Sequence, residues 1–320
     1  MGSFDAVSGR PRCPDSMTTN IISAGRSNAT RQASINLMNH GDKVSLKPGR
    51  APAQPQLYAM VESFPAHNRP HNVAKMDPPH PPLHAYYASA QSRSGWVRDI
   101  FSRTAGDYDR VERAMAIGTG SWYRRRALLQ AGLEAGMTVV DVGVGTGLVA
   151  CEAAAIVGDP ACVIGVDPSP GMVANARVPD GVRLISGSAE HLPMAPATVD
   201  FVSMGFALRH VEDLATAFAE FYRVLKPGGR LCLLEITRPL AGWARALLKF
   251  YMRRVVPWVA ARLASHRDTP ELMRYYYDTI EACVAPEAVI AALRVAGFVE
   301  VVRNVELGIF SAYGAQKPAR

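Results

Sequence analysis

The run Asp141-Val-Gly-Val-Gly-Thr-Gly147 is where this sequence first suggests chemistry. Val139-Val140-Asp141 closes an apolar stretch, and Gly143, Gly145 and Gly147 follow at alternate positions. Glycine tolerates positive φ and lets a ligand come close to the backbone. A tight strand-to-helix turn of this kind lies at the carboxyl edge of an open α/β sheet, where ligands bind. Twenty-six residues after Asp141 comes Asp167, placed to accept hydrogen bonds from two ribose hydroxyls. A glycine loop and this acid together describe an adenosine-type ligand without saying which one. A purely structural turn is the competing reading of the loop.

Spacing narrows the ligand. A dinucleotide site carries G-x-G-x-x-G and a P-loop carries G-x-x-x-x-G-K-[ST]. Here the pattern is G-x-G-x-G behind an acid. A pyrophosphate is held at a free helix N-terminus, whereas a carboxylate beside the loop favours a cation. S-adenosylmethionine has a sulfonium cation, an amino-acid tail and no phosphate. It is the expected cofactor, and a dehydrogenase is disfavoured.

These residues need a frame. Apolar runs at Thr138–Val142, Cys162–Val166, Val182–Ile185, Phe201–Met204 and Arg230–Glu235 read as strands. Helical patterns at Leu148–Val157, Pro170–Ala176 and Leu214–Leu225 lie between them. Short strands alternating with helices predict βαβ units, hence an α/β fold with a mainly parallel sheet covered on both faces. Val299–Val305 and Gly308–Tyr313 read as a closing antiparallel pair.

Four segments in this order resemble the class I methyltransferase pattern: Asp141–Gly147, Asp167–Met172, Gly187–Pro193 and Arg223–Gly229. The last reads as a helix end, a turn and the next strand. More narrowly, residues of roughly 100–315 resemble the ubiquinone/menaquinone C-methyltransferases, the UbiE/COQ5-like family. Phe101–Asp109 is similar to that family's opening segment, and Phe206-Ala-Leu-Arg-His210 to its G-[LI]-R-N segment. Gly118, Trp122, Tyr275–Tyr277 and Ala296-Gly-Phe298 fall in family order. The resemblance implies a Rossmann-like methyltransferase domain over residues 91–320, with a mainly parallel seven-stranded sheet and helices on both faces. It implies cofactor contacts at Gly143, Gly145, Thr146, Asp167, Ser188, Ala189 and Gly205, joined by Asp141 and Gly147 from the loop itself. Met172 either packs on the adenine or fills the helix-to-sheet core. The chain departs from the family at Leu148, Glu112, His210 and Tyr313, where Asp, Asn, Asn and His are usual.

By the same resemblance the reaction is methyl transfer to a ring carbon of a lipophilic quinol in ubiquinone or menaquinone biosynthesis. A ring carbon ortho to a hydroxyl becomes nucleophilic as that hydroxyl loses its proton. Arg209 is the first catalytic candidate. A guanidinium keeps its proton, so its expected role is to stabilise the developing phenolate, with water taking the proton. His210 is the second, because imidazole titrates near neutrality. Tyr108 is the third, either orienting the ring or packing as a lid residue. Methylation of oxygen or nitrogen on another small molecule is the runner-up. A non-catalytic module that keeps the fold is the alternative from another class.

Lys and Arg number 35 against 28 Asp and Glu, a net charge of +7 that reads as diffuse, with one tight cluster at Arg124–Arg126. No nucleic-acid partner is expected without a basic stripe or a reader motif. Five widely spaced cysteines make no zinc pattern, and no metal is expected. Residues 1–90 hold 11 of the 23 prolines and five of the eight histidines, and read as a disordered extension. His67, His71, His80 and His84 raise a metal reading that a decorated flexible tail outweighs. No apolar run is long enough for a membrane span and no compact signal core is present. The expected location is therefore cytoplasmic. Trp243–Trp258 mixes aromatic, aliphatic and basic residues, and reads either as a surface lying on the inner membrane or as a helical lid. Peripheral membrane attachment and a homodimer are both open.

Overall fold

The computed structural model describes residues 78–115, 119–239 and 241–320. Its strands are β1 (Val139–Val142), β2 (Val163–Asp167), β3 (Arg183–Ser186), β4 (Val199–Gly205), β5 (Leu225–Ile236), β6 (Val299–Glu306) and β7 (Phe310–Gln316). They form one sheet in the order β3-β2-β1-β4-β5-β7-β6. The first five run parallel, and β7 is antiparallel to both β5 and β6. All seven apolar runs read as strands are strands. β1 and β2 are fully buried, as Val- and Ile-rich central parallel strands must be, while the edge strands β3 and β6 are largely exposed.

The chain leaves β1 towards β2 and β3 on one side, then returns to β4 and β5 on the other. That reversal opens a crevice at the carboxyl ends of β1 and β4. The Lys226-Pro-Gly-Gly229 segment differs from its expected form. Leu225 pairs with Val199 and Arg230 with Phe201, so these four residues are an excursion inside a longer β5. Gly228 takes φ +79° to close it.

Helices cover both faces. α2 (Gly120–Gln130) and α3 (Leu148–Val157) share an apolar cluster with the central strands, built on Leu128, Val149, Ala153, Val163 and Phe201. α4 (Pro170–Asn175) starts where the Ser169 side chain accepts the Met172 N–H, with Pro170 in the first turn. α5 (Leu214–Val224) is capped by Asp213 and packs with α9 (Pro286–Val295).

A second cluster joins α1 (Arg93–Met115), α6 (Gly242–Phe250), a π turn at Tyr251–Val255, α7 (Val256–Leu263) and α8 (Thr269–Ala282). Pro257 explains the π turn. It has no N–H to offer one turn back, and its ring crowds the Arg253 carbonyl.

Packing begins upstream of the boundary expected at residue 91. Val284 N–H donates to Pro79 O at 2.7 Å, Tyr86 Oη donates to Asp278 at 2.7 Å, and His80 and Tyr87 are buried. Prolines exclude helix here but not an extended strap. His67, His71 and Gly118 lie outside the described residues.

Candidate active site

Of the two acids read from the sequence, Asp167 holds the glycine loop and Asp141 ties the end of β1 to β4. Asp141, in β1, pairs with Ser203 of β4 and accepts its hydroxyl on Oδ1 at 2.7 Å. Its Oδ2 is buried with no hydrogen bond to another side chain, and the Ala150 N–H in the first turn of α3 favours the ionised carboxylate. Burial pushes this carboxyl up to about 7; the Ser203 bond opposes the shift and Asp167 adds to it. Asp167, at the end of β2, accepts the Gly145 N–H and the Ser169 N–H, each at 2.8 Å. Burial pushes it up to about 6. Two carboxyls poised this way are ionised more readily when a cation arrives. Oδ2, which bonds no side chain, also takes a donor. An ammonium supplies both, so the residues fit the amino-acid tail of S-adenosylmethionine.

Gly143, Gly145 and Gly147 all have positive φ, and Gly147 caps α3. A Cβ on Gly143 would lie 2.7 Å from the Ala207 Cβ, so the loop touches the segment leaving β4. Gly205 has a different reason to lack a side chain. A Cβ there would lie 2.5 Å from Val149 Cγ2, which makes it a packing site for α3. Thr146 also differs from expectation. Its hydroxyl donates to Asp109 of α1 and so ties the helix to the loop. Ser188 and Ala189 follow β3 in a loop that Gly187 N–H anchors to Asp167 O at 3.3 Å. Ala189 is buried, as is Met172 in the first turn of α4.

Arg209 and His210 lie just past β4, in a 3-10 turn over Leu208–His210. The strand exits through Phe206 at φ +59°, a strained value for a residue with a Cβ. Arg209 is completely buried. Its Nη1 donates to both oxygens of Glu235 at 2.7 and 2.6 Å, and its Nε donates to Thr279 Oγ1 at 3.0 Å. The guanidinium carbon lies over the Tyr276 ring, 3.9 Å from the centroid. Nη2 has no hydrogen-bond partner. Burial works against the charge, but Glu235 outweighs it and holds the group protonated.

His210 stacks on Tyr275 at 5.5 Å and meets the edge of Phe101 at 5.1 Å. Its Nδ1 is 3.3 Å from Tyr275 Oη, and its Nε2 is buried without a partner. Burial, then Arg209 and Arg93, hold the ring well below the ordinary imidazole value, so it is neutral at pH 7. Tyr108 reaches the same cluster from α1. It packs on Phe101 at 6.2 Å, and burial and the nearby Tyr276 raise its hydroxyl well above its usual range against the pull of Arg209. The structure therefore brings Tyr108, Arg209 and His210 together inside an aromatic wall.

The strap closes one side of this wall. Arg93 Nη2 donates to Arg209 O at 2.8 Å and to His80 Nε2 at 3.1 Å. His80 must then carry its proton on Nδ1, donating to Pro81 O at 2.7 Å. Burial and Arg93 push it down to about 4. His84, by contrast, is exposed. The family departures also find places. Glu112 pairs with buried Arg124 at 2.5 Å, and Tyr313 is buried in β7 opposite Leu233.

Sequence reasoning missed Glu235, Ser203 and Arg93. Glu235 did carry a signal: an acid near the carboxyl end of a strand that neighbours β4.

The profile of the ubiE/COQ5 methyltransferase family matches residues 88–317. The chain is 35% identical over 213 residues to a ubiquinone/menaquinone biosynthesis C-methyltransferase UbiE of Rubrivivax gelatinosus, covering 66% of this chain and 82% of that one. It is 32% identical over 232 residues to a demethylmenaquinone methyltransferase of Lactiplantibacillus plantarum, covering 70% and 97%. Among solved structures, it resembles phosphoethanolamine N-methyltransferase 2 of Haemonchus contortus, bound to phosphomonomethylethanolamine and S-adenosylhomocysteine. The TM-score is 0.50 at 18% identity, covering 69% of this chain and 60% of that one. At that identity the likeness speaks for the fold alone.

Proposed function

The chain belongs to the ubiE/COQ5 methyltransferase family and is an S-adenosylmethionine-dependent methyltransferase; from that premise we propose that it methylates a ring carbon of a lipophilic quinol in the ubiquinone or menaquinone series. The observation that carries this reading is the contact between the two halves of the site, where Gly143 abuts Ala207, two residues before Arg209.

S-adenosylmethionine, when bound, supplies a methyl group on a positively charged sulfur. Asp141 Oδ2 would take the ammonium and Asp167 the ribose hydroxyls. Gly143, Gly145 and Gly147 would leave room for them, while Ser188, Ala189 and Met172 would flank the adenine. On the acceptor side, Arg209 keeps Nη2 free of hydrogen bonds, which supports a role as donor to the oxygen where phenolate charge develops. Its charge is already shared with Glu235, so an aimed N–H matters more than net charge. His210 offers a neutral ring with a partnerless Nε2, which supports its orienting the acceptor's hydroxyl by a hydrogen bond while water takes the proton, because burial and Arg209 oppose a charged imidazolium there. With the cofactor bound, the ring carbon would attack the methyl carbon as the carbon–sulfur bond breaks and its electron pair returns to sulfur, and water would take the carbon's own proton to restore the aromatic ring. Tyr108 orients the ring against Phe101.

No helix among the described residues is long and apolar enough to cross a membrane. A lipophilic quinol resides in one, so peripheral attachment belongs to the same reading. Mass spectrometry of quinones from a strain lacking this gene tests it. A quinone short of one ring methyl is expected to accumulate. An unchanged quinone profile would overturn the assignment in favour of an oxygen or nitrogen acceptor.

A further inference from the structure

The net charge of this protein is not diffuse. Between Thr237 and Arg267 there are seven Lys and Arg and no Asp or Glu, and the remaining 28 basic residues balance the 28 acids. The excess of +7 therefore equals the charge of this one segment, whose α6, π turn and α7 carry five of the seven, Arg245, Lys249, Arg253, Arg254 and Arg262, with Arg253 paired to Asp278.

Its shape is as unusual as its charge. α6 has no buried residue. Trp243, Leu247 and Phe250 recur at i, i+4 and i+7, so they line one stripe of the helix, and they are 75%, 60% and 61% exposed. Arg245 and Lys249, also four apart, lie on the opposite, polar face of the same helix, the arrangement of a helix that lies in an interface. On α7, Trp258 is 55% exposed and carries Arg262 over its ring at 4.0 Å. A lid would bury its apolar face against the site, whereas α6 packs inward only through the partly buried Leu248 and leaves the stripe bare. The inner side of the π turn and α7 behaves differently. Met252, Val256 and Ala260 are buried in the cluster that contains Tyr275, Tyr276 and Tyr108.

We propose that the outer face of this helical arm docks on a bilayer containing anionic lipid, with the aromatic acceptor cluster lying directly against the arm's inner face. Basic side chains meet the headgroups, and the Trp243–Leu247–Phe250 stripe enters the boundary with the acyl chains. Tryptophan suits that depth, since it has an apolar body and one N–H donor. A second copy of the chain does not suit the face, because like charge would meet like charge across it. Nucleic acid would answer the cations, but Leu247 in the middle of the stripe offers neither a phosphate contact nor a base stack. The surface depends on charge and exposure alone and is independent of which acceptor the site takes.

Co-sedimentation of the full chain with phosphatidylcholine vesicles, with and without phosphatidylglycerol, tests this directly. Binding is expected only to the mixed vesicles and is expected to weaken as salt is raised. The Arg245→Gln, Lys249→Gln double variant should bind about fivefold more weakly for each cation removed. Trp243→Ser with Phe250→Ser should weaken binding by about tenfold or more at an unchanged unfolding midpoint, because neither side chain is packed in the fold. Equal binding to neutral and anionic vesicles overturns the proposal. So does wild-type vesicle binding by the Trp243/Phe250 variant, or capture of a single-stranded oligonucleotide without capture of vesicles.

Discussion

Arg209 is paired before any substrate arrives, and that changes what its mutation reports. Removing one member of a buried ion pair strands the other, at a cost of about 3–5 kcal/mol. Arg209→Ala leaves Glu235 alone in the core, so a loss of turnover would mix lost chemistry with lost structure. Urea unfolding of the single variant should show that loss of about 3–5 kcal/mol. Arg209→Met with Glu235→Leu should regain most of it and still turn over no quinol. Turnover in the double variant would end the donor role assigned to Nη2. Asp141 gives a pH test. Its carboxyl and that of Asp167 sit at about 7 and about 6, above the ordinary carboxylate range. The folded chain therefore holds these protons where the unfolded chain has released them, and the two groups cost stability as pH rises through the window from about 4 to 7. A cationic ligand favours the ionised forms. Its affinity should rise with pH until both groups are ionised, with protons released on binding at lower pH. Calorimetry in buffers of different ionisation heat reads both quantities. Asp141→Asn should bind about tenfold more weakly at pH 8 and show a shallower rise. A flat profile in the wild type would remove the charge argument.

At the scale of elements, the loop after β1 and the segment after β4 act as one unit because Gly143 touches Ala207. Gly143→Ala meets two penalties, a left-handed φ of +68° and that contact. It should cost about 1–3 kcal/mol of stability and about tenfold or more in S-adenosylmethionine affinity, both measurable by thermal unfolding with and without ligand. An unaffected variant would mean that the loop has slack. The strap makes a separate prediction. Arg93 bridges His80 and the Arg209 carbonyl, so Arg93→Ala should free residues 78–92 and speed their cleavage in limited proteolysis. Unchanged cleavage would show that Pro79 and Tyr86 hold the strap without Arg93. Strands were legible here because Val and Ile runs mark buried parallel strands whatever the rest of the chain does. The strap was not, because a proline-rich run has no period and its packing comes from α8 and Val284, some two hundred residues away.

For the molecule as a whole, the aromatic cluster lies between the carboxyl ends of the sheet and the basic arm. On the proposed docking, such an order would present the acceptor site to the membrane and the sheet to water. The Trp243→Ser, Phe250→Ser variant should therefore lose about tenfold or more in turnover of a vesicle-embedded quinol while turning over a short-chain, water-soluble quinol at the wild-type rate. Equal losses on both acceptors would place the arm's effect in the site instead of at the surface. The charge concentration is present in the sequence, but a total of +7 hides whether its parts are mixed or segregated.

By itself the sequence determined the central strands, the glycine loop and the two acids beside it, because these depend on residues near one another and on the period of a buried strand. It also carried the class I methyltransferase pattern, through four short segments in order, and the narrower family, through Phe101–Asp109 and Phe206–His210. Only the tertiary structure decided that Arg209 faces Glu235, that His210 is a neutral ring, that the Thr146 hydroxyl is committed to Asp109, and which side of the Trp243–Trp258 arm is bare. Each of those follows from which strands and helices become neighbours. That order is set by packing between residues far apart in the chain, where local spacing carries no information.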